Sequence, residues 1–252
     1  MRPEPTTLVV LAMVVLAGCA GTADSPAPPS DERALDVLAS AQNASATVGS
    51  YRFTVEGVVT ASSEGDSRRI EMRGSGSVDV ANRRMIARTH VRDRSQTVFV
   101  NGTTAIAECP SMGWDRRNVT ATPWIAATPL GRSLESLTET QVYWRGTDVV
   151  NGTTTAVIVA YPSLDVTGRD GTSGYASGLI GEGPTVHNVT QTTWIDRKTG
   201  RVLRVRRTVS LSVDGASGTA TVSVRFDDYG ANVSVDRPAV EPSAIWTMGC
   251  PG

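Results

Sequence analysis

The spacing of apolar residues changes twice along this chain. Leu8 to Ala17 is an unbroken run of ten apolar residues, too short to cross a bilayer as a helix. From Ser30 to about Val48 the spacing is helical: Leu35, Leu38, Ala41 and Ala44 form a narrow stripe that Val37 and Val48 widen. Ser30 stands at a capping position, and Asp31 and Glu32 stand where the helix dipole favours acid. Gly49 and Ser50 end this predicted helix. After it the period is 2. Tyr51, Phe53, Val55, Gly57 and Val59 oppose Arg52, Thr54 and Glu56. Ile70, Met72, Gly74, Gly76, Val78 and Val80 oppose Arg69, Glu71, Arg73, Ser75, Ser77 and Asp79. Arg84–Val91 continues the pattern. So do Leu203, Val205, Val209, Leu211 and Val213, which alternate with polar residues except at Arg207, and Ala220, Val222, Val224 and Phe226.

Turn chemistry punctuates these strands. Asn101-Gly102 and Asn151-Gly152 each join two strand-like segments, and Asn-Gly suits a type I′ hairpin. Asp196 to Gly200 and Asp214 to Gly218 are further turns. Two stretches break the alternation. Glu108 to Arg132 holds Cys109, Pro110, Trp114, Pro123, Trp124 and Pro129 and reads as irregular, with one or two helical turns following at Ser133–Thr138. Tyr161 to Asn188 is glycine-rich, and Leu179-Ile180 in it could tip a lid or form a short packed turn. The expected fold is mainly β with one N-terminal helix: a strongly curved antiparallel sheet, an unclosed half β-barrel, wrapped on that helix. Half-apolar strands with one wet face need such cover.

The ends of the chain add a location. Arg2 precedes the apolar run, and Leu16-Ala17-Gly18-Cys19 closes it. Small residues before a cysteine, followed by a polar segment, resemble the lipobox of prokaryotic lipoproteins, and Cys19 is then the lipid-attachment residue. An ordinary secretory signal cleaved nearby is the alternative. The domains expected are a signal peptide at 1–18, a lipidated polar tether at 19–29 and one β domain at 30–252. The tether carries three prolines and cannot build a core. Cys109 and Cys250 remain and read as one structural disulfide in an oxidising compartment; a redox pair is the alternative, without a Cys-x-x-Cys motif.

Six asparagines stand in Asn-x-Ser/Thr sequons: Asn43, Asn101, Asn118, Asn151, Asn188 and Asn232. A lipobox with many sequons points toward an archaeal surface glycoprotein, although a formal net charge of -1 is a poor fit to a strong halophile. Arginines spread along strands, without a dense patch, argue against a nucleic-acid partner.

The order of features then becomes informative. A lipobox, a polar linker and a helix precede Ser-Tyr-Arg-Phe-Thr at 50–54, Trp-Ile-Asp-Arg-Lys-Thr-Gly-Arg-Val-Leu at 194–203 and Phe-Asp-Asp-Tyr-Gly at 226–230. This layout resembles the LolA-like superfamily and the related mycobacterial lipid-carrier lipoproteins, and is similar to archaeal lipoproteins with the same layout. The resemblance implies an unclosed barrel with helices against its concave face, and an acyl chain held there in some members.

Chemistry is sparse. The two histidines, His90 and His187, are 97 positions apart and have no cysteine cluster beside them, so no metal or cofactor is expected. Asp227-Asp228 reads as a polar pair at a strand end, and adjacent strand residues point to opposite faces. Arg204, Arg206 and Arg225 form a cationic stripe if their strands pair; it either meets anionic headgroups or is a solvated face. No enzyme is expected. The primary reading is a membrane-anchored extracytoplasmic lipoprotein that binds or carries a lipid or other hydrophobe. Phe53, Val55, Met72, Gly74, Gly76, Leu203 and Val205 are the candidate cavity lining. The alternative is a cavity-free adhesion or assembly module. The lipobox reading predicts that Cys19→Ser moves the protein from the membrane fraction to the soluble one; unchanged retention in the membrane fraction contradicts it.

Overall fold

A computed structural model describes residues 29–63, 66–109, 112–162, 185–213, 216–247 and 250. The expected signal peptide, Cys19, nearly all of the expected tether and the Leu179-Ile180 segment lie outside them. Twelve strands form one sheet: β1 Ser50–Ser63, β2 Asp66–Asp79, β3 Arg84–Val91, β4 Arg94–Asn101, β5 Thr104–Glu108, β6 Trp114–Asn118, β7 Val142–Val150, β8 Thr153–Ala160, β9 Thr185–Asp196, β10 Val202–Val213, β11 Ala216–Asp227 and β12 Ile245–Trp246. Helix α1 is Glu32–Ala46 and α2 is Pro129–Thr138. The strand order is β12-β6-β5-β4-β3-β2-β1-β11-β10-β9-β8-β7. All neighbours are antiparallel except the short β12–β6 pair.

This corrects the expected fold class. Among the described residues the fold is mixed α/β with two α-helices, and the sheet is open, neither closed nor strongly curved. The physical reason is that the sheet is covered from both sides, so it need not curl around a single helix. On one face Ala34, Leu38 and Ala41 of α1 and Leu130, Leu134 and Leu137 of α2 pack in one core with Tyr51, Phe53, Val78, Met85, Val100, Val142, Ile158, Ile195, Val205 and Phe226. On the other face Val233 and Val235 of the C-terminal segment pack on Phe99 and Ile106.

The second helix arises where prolines suggest irregularity. Pro129 occupies its first turn, where a missing N–H costs nothing, and Thr128 caps it by accepting from the Gly131 N–H at 3.3 Å. Helix α1 is capped by Asp31, whose carboxylate accepts from the Arg33 N–H at 2.9 Å. Ser30 instead accepts from the Val142 N–H at 3.1 Å and ties the entering chain to the β7 edge.

The two Asn-Gly turns differ. Asn151 and Gly152 both take positive φ, 49° and 78°, as a type I′ turn requires. At the first turn Asn101 still pairs with Thr104, so the turn residues are Gly102 and Thr103.

Cys109 and Cys250 form a disulfide, with Cα atoms 5.5 Å apart and 141 positions between them. It fixes the end of the segment that covers the second face. Loop closure of this length stabilises by about 4 to 5 kcal/mol in the simplest chain model, and often by less.

Gly76 shows how tightly the helix side is packed. A Cβ there would collide with the Ile86 carbonyl oxygen and the Phe53 ring. Gly76→Val is therefore expected to destabilise the fold by about 1–3 kcal/mol. Denaturant unfolding checks this, and an unchanged midpoint contradicts the packing.

Candidate functional site

Among the described residues, the helix-side face has one half packed under the helices and one half beyond them. The long hairpins β1–β2 and β10–β11 carry it past the helices. Their paired residues continue the apolar side: Gly57 opposite Met72 and Val222, and Val59 opposite Ile70 and Ala220. Val209 lies opposite Ala220 on the other flank of β11. Val59, Ile70, Met72, Val209, Ala220 and Val222 are half-buried and stand outside the main core cluster, whereas Leu211 and Val189 are buried. Large contiguous apolar patches on protein surfaces generally mark interaction or ligand sites.

A polar group marks the boundary between the halves. Gln191 on β9 is fully buried. Its Oε1 accepts from Arg207 Nη2 at 2.7 Å, Arg207 Nε at 3.2 Å and Ser136 Oγ at 3.0 Å. Its Nε2 donates to the Ser133 carbonyl at 2.8 Å. Arg207, which interrupts the apolar alternation of β10, thus joins β9 and β10 to α2.

The seven candidate lining residues do not share one space. Phe53 and Val205 are buried in the core, and Val55 packs against it. Phe53 occupies the room above Gly76, and Met72 Cε lies 2.8 Å from where a Gly57 Cβ would stand. A Cβ on Gly74 would meet the Arg88 carbonyl and Thr89 at 2.8 and 2.9 Å. Leu203 is on the opposite face from Val205, packed with Val150, Val157 and Trp194. The cause is a register shift between Val202 and Arg204, which turns Val202 rather than Leu203 into the core.

The outer face holds a groove of about 490 Å³ of mixed lining, which includes Arg52, Ser75, Ile86, Arg88, Asp227 and Asp236. Phe53 and Gly76 are the two candidate lining residues that border it. Arg52 donates from Nη1 to Asp228 at 2.8 Å. Burial raises the pKa of Asp227, the charge of Asp228 adds to this, and Arg52 opposes it.

His90 is exposed on β3, and His187 Nε2 lies 2.8 Å from Ser212 Oγ. Among the described residues no group of three or more His, Cys, Asp and Glu could hold a metal ion. All six sequon asparagines are exposed.

No family model matches the chain, and no curated protein matches it. Solved structures with a similar course of chain include LprF from Mycobacterium bovis, at 12% identity over 84% of this chain and 100% of that one, with a TM-score of 0.44. The Mycobacterium tuberculosis lipoprotein LppX is similar at 14% identity over 82% and 100%, with a TM-score of 0.39. A LolA superfamily protein from Nitrosomonas europaea is similar at 9% identity over 80% and 94%, with a TM-score of 0.27. At these scores no property of those proteins transfers to this chain.

Gln191→Leu removes the acceptor of Arg207 and Ser136 and the donor to Ser133 together. It is expected to cost about 1–3 kcal/mol, because the hydrogen bonds that join β9 to β10 and α2 through this buried amide are lost together. Thermal or urea unfolding measures this; a wild-type midpoint contradicts it.

Proposed function

We propose that this protein is a membrane-anchored extracytoplasmic lipoprotein, tethered through Cys19, whose apolar sheet face holds a lipid or similar hydrophobe. One observation carries the ligand part of this reading: the half-buried surface of Val59, Ile70, Met72, Val209, Ala220 and Val222, beyond the core that the helices pack against. The ligand lies along the β1–β2 and β10–β11 hairpins, next to the Gln191–Arg207 group. The space over Gly57 and Gly76 is filled by Met72 and Phe53, so the ligand surface is the outer half of these hairpins. The exposed sequons suit a glycosylated cell-surface protein. The protein acts by binding and presentation, not by catalysis.

The test is binding of a pyrene-labelled fatty acid to the full chain and to Val59→Asp and Val222→Asp variants. Each substitution places a charge where the acyl chain lies and is expected to weaken binding on the order of tenfold or more. The melting temperature should change little, because neither side chain belongs to the main core cluster. Wild-type affinity in both variants contradicts the reading. Absence of binding by the wild-type chain does so too, and favours a packed adhesion or assembly module.

A further inference from the structure

On the outer face, strand pairing brings three arginines together. Arg204 of β10 lies directly opposite Arg225 of β11, and Arg206 is two residues along β10 from Arg204. Like charges directly opposite in a sheet repel. Among the described residues none of the three forms an ion pair with a carboxylate within 4.0 Å. Arg204 donates from Nε to Ser223 Oγ at 3.1 Å. Its pKa is lowered, first by burial and then by Arg206 and Arg225, against the smaller opposing pull of Asp148 and Glu56.

Arg204 and Arg206 lie over a buried tryptophan, Trp194, which is 7% exposed. Trp194 pairs across the sheet with Arg204, and the guanidinium carbons of Arg204 and Arg206 stand 4.8 and 5.7 Å from its ring centroid. Asp148 accepts from the Trp194 indole N–H at 2.9 Å. Val150, Val157 and Leu203 pack with Trp194 beneath the arginines.

We propose that the Arg204–Arg206–Arg225 cluster is the surface on which the tethered domain rests against the anionic headgroups of a bilayer. Guanidinium groups gathered on one sheet face without carboxylate partners among the described residues suit the headgroup zone, where they meet phosphate. The tether points to the same partner. It joins the domain at β7, where the Asp31 N–H donates to the Val142 carbonyl at 3.0 Å. Strand β10 is three strand spacings from β7 in the sheet order, roughly 15 Å. Residues 20–29 extended reach roughly 35 Å, so an anchored chain can lay this face on the membrane.

This inference rests on the lipid anchor of the proposed function. The test reconstitutes the full lipidated chain in vesicles of phosphatidylcholine, with and without phosphatidylglycerol, using lipids brominated on the acyl chain. Quenching in a Thr208→Trp variant, substituted two residues along β10 from Arg206 on the same face, obtained by difference from the unsubstituted chain, reads docking. Vesicle flotation reads the anchor. Quenching is expected in the phosphatidylglycerol vesicles and is expected to fall at high salt. The triple variant Arg204→Gln, Arg206→Gln, Arg225→Gln is expected to weaken docking on the order of 10²-fold. The corresponding triple lysine variant keeps the charge and should keep the quenching. Flotation with equal quenching in neutral and anionic vesicles, or in the glutamine variant, overturns the docking surface alone. Failure to float overturns the anchor and the docking surface together.

Discussion

Tyr51 is the point at which the parts of this fold meet. It is fully buried at the start of β1. Its ring lies 5.8 Å from both Phe226 and Tyr229, and 6.4 Å from Phe53. Its hydroxyl accepts from the Leu130 N–H at 3.3 Å, at the start of α2. Burial raises its pKa strongly, so the phenol stays protonated. The Tyr229 hydroxyl in turn donates to the Val202 carbonyl at 2.6 Å. One side chain therefore connects the central strand, the second helix and the end of β11. The packed half of the sheet is built around it, and the apolar surface of the long hairpins begins where this packing ends.

That division explains how a sheet this wide is kept from exposing two apolar faces. The helices cover one half of one face. The C-terminal segment, pinned through Cys250 to Cys109, covers part of the other. What is left divides by chemistry: aliphatic side chains on the helix side of the hairpins, and arginines, hydroxyls and Trp194 on the outer side. The first suits a hydrophobe and the second an anionic surface. Both surfaces come from the same strands, because residues alternate between faces.

Much of this was legible in the sequence, and the failures have specific causes. The period-2 runs at Tyr51–Val59 and Ile70–Val80 do form paired strands, because nothing interrupts their alternation. Helix α1 forms where its stripe predicts, but it buries Ala34, Leu38, Ala41 and Ser45 and leaves Leu35 exposed, and its cap is Asp31 because Ser30 is used by Val142. The start of α2 was hidden by Pro129, which reads as a breaker but is tolerated in a first helical turn. Leu203 was placed on the wrong face because periodicity cannot reveal the irregularity beside it. Gln191 was missed, since a polar residue in a strand usually reads as solvent-facing; Arg207, out of register with its apolar neighbours, was the available signal. The sheet was expected to be unclosed, but its lack of strong curvature was not legible, because the second cover comes from a C-terminal segment with no periodicity of its own.

The central claim is that the apolar hairpin face carries a hydrophobic ligand. Its most direct test is native mass spectrometry of the full chain purified from its own membrane, followed by extraction of what it holds. The account predicts one hydrophobic molecule per chain, lost on unfolding and depleted in Val59→Asp. A folded chain that holds no hydrophobe, and takes none up when acyl lipids are offered, would contradict it.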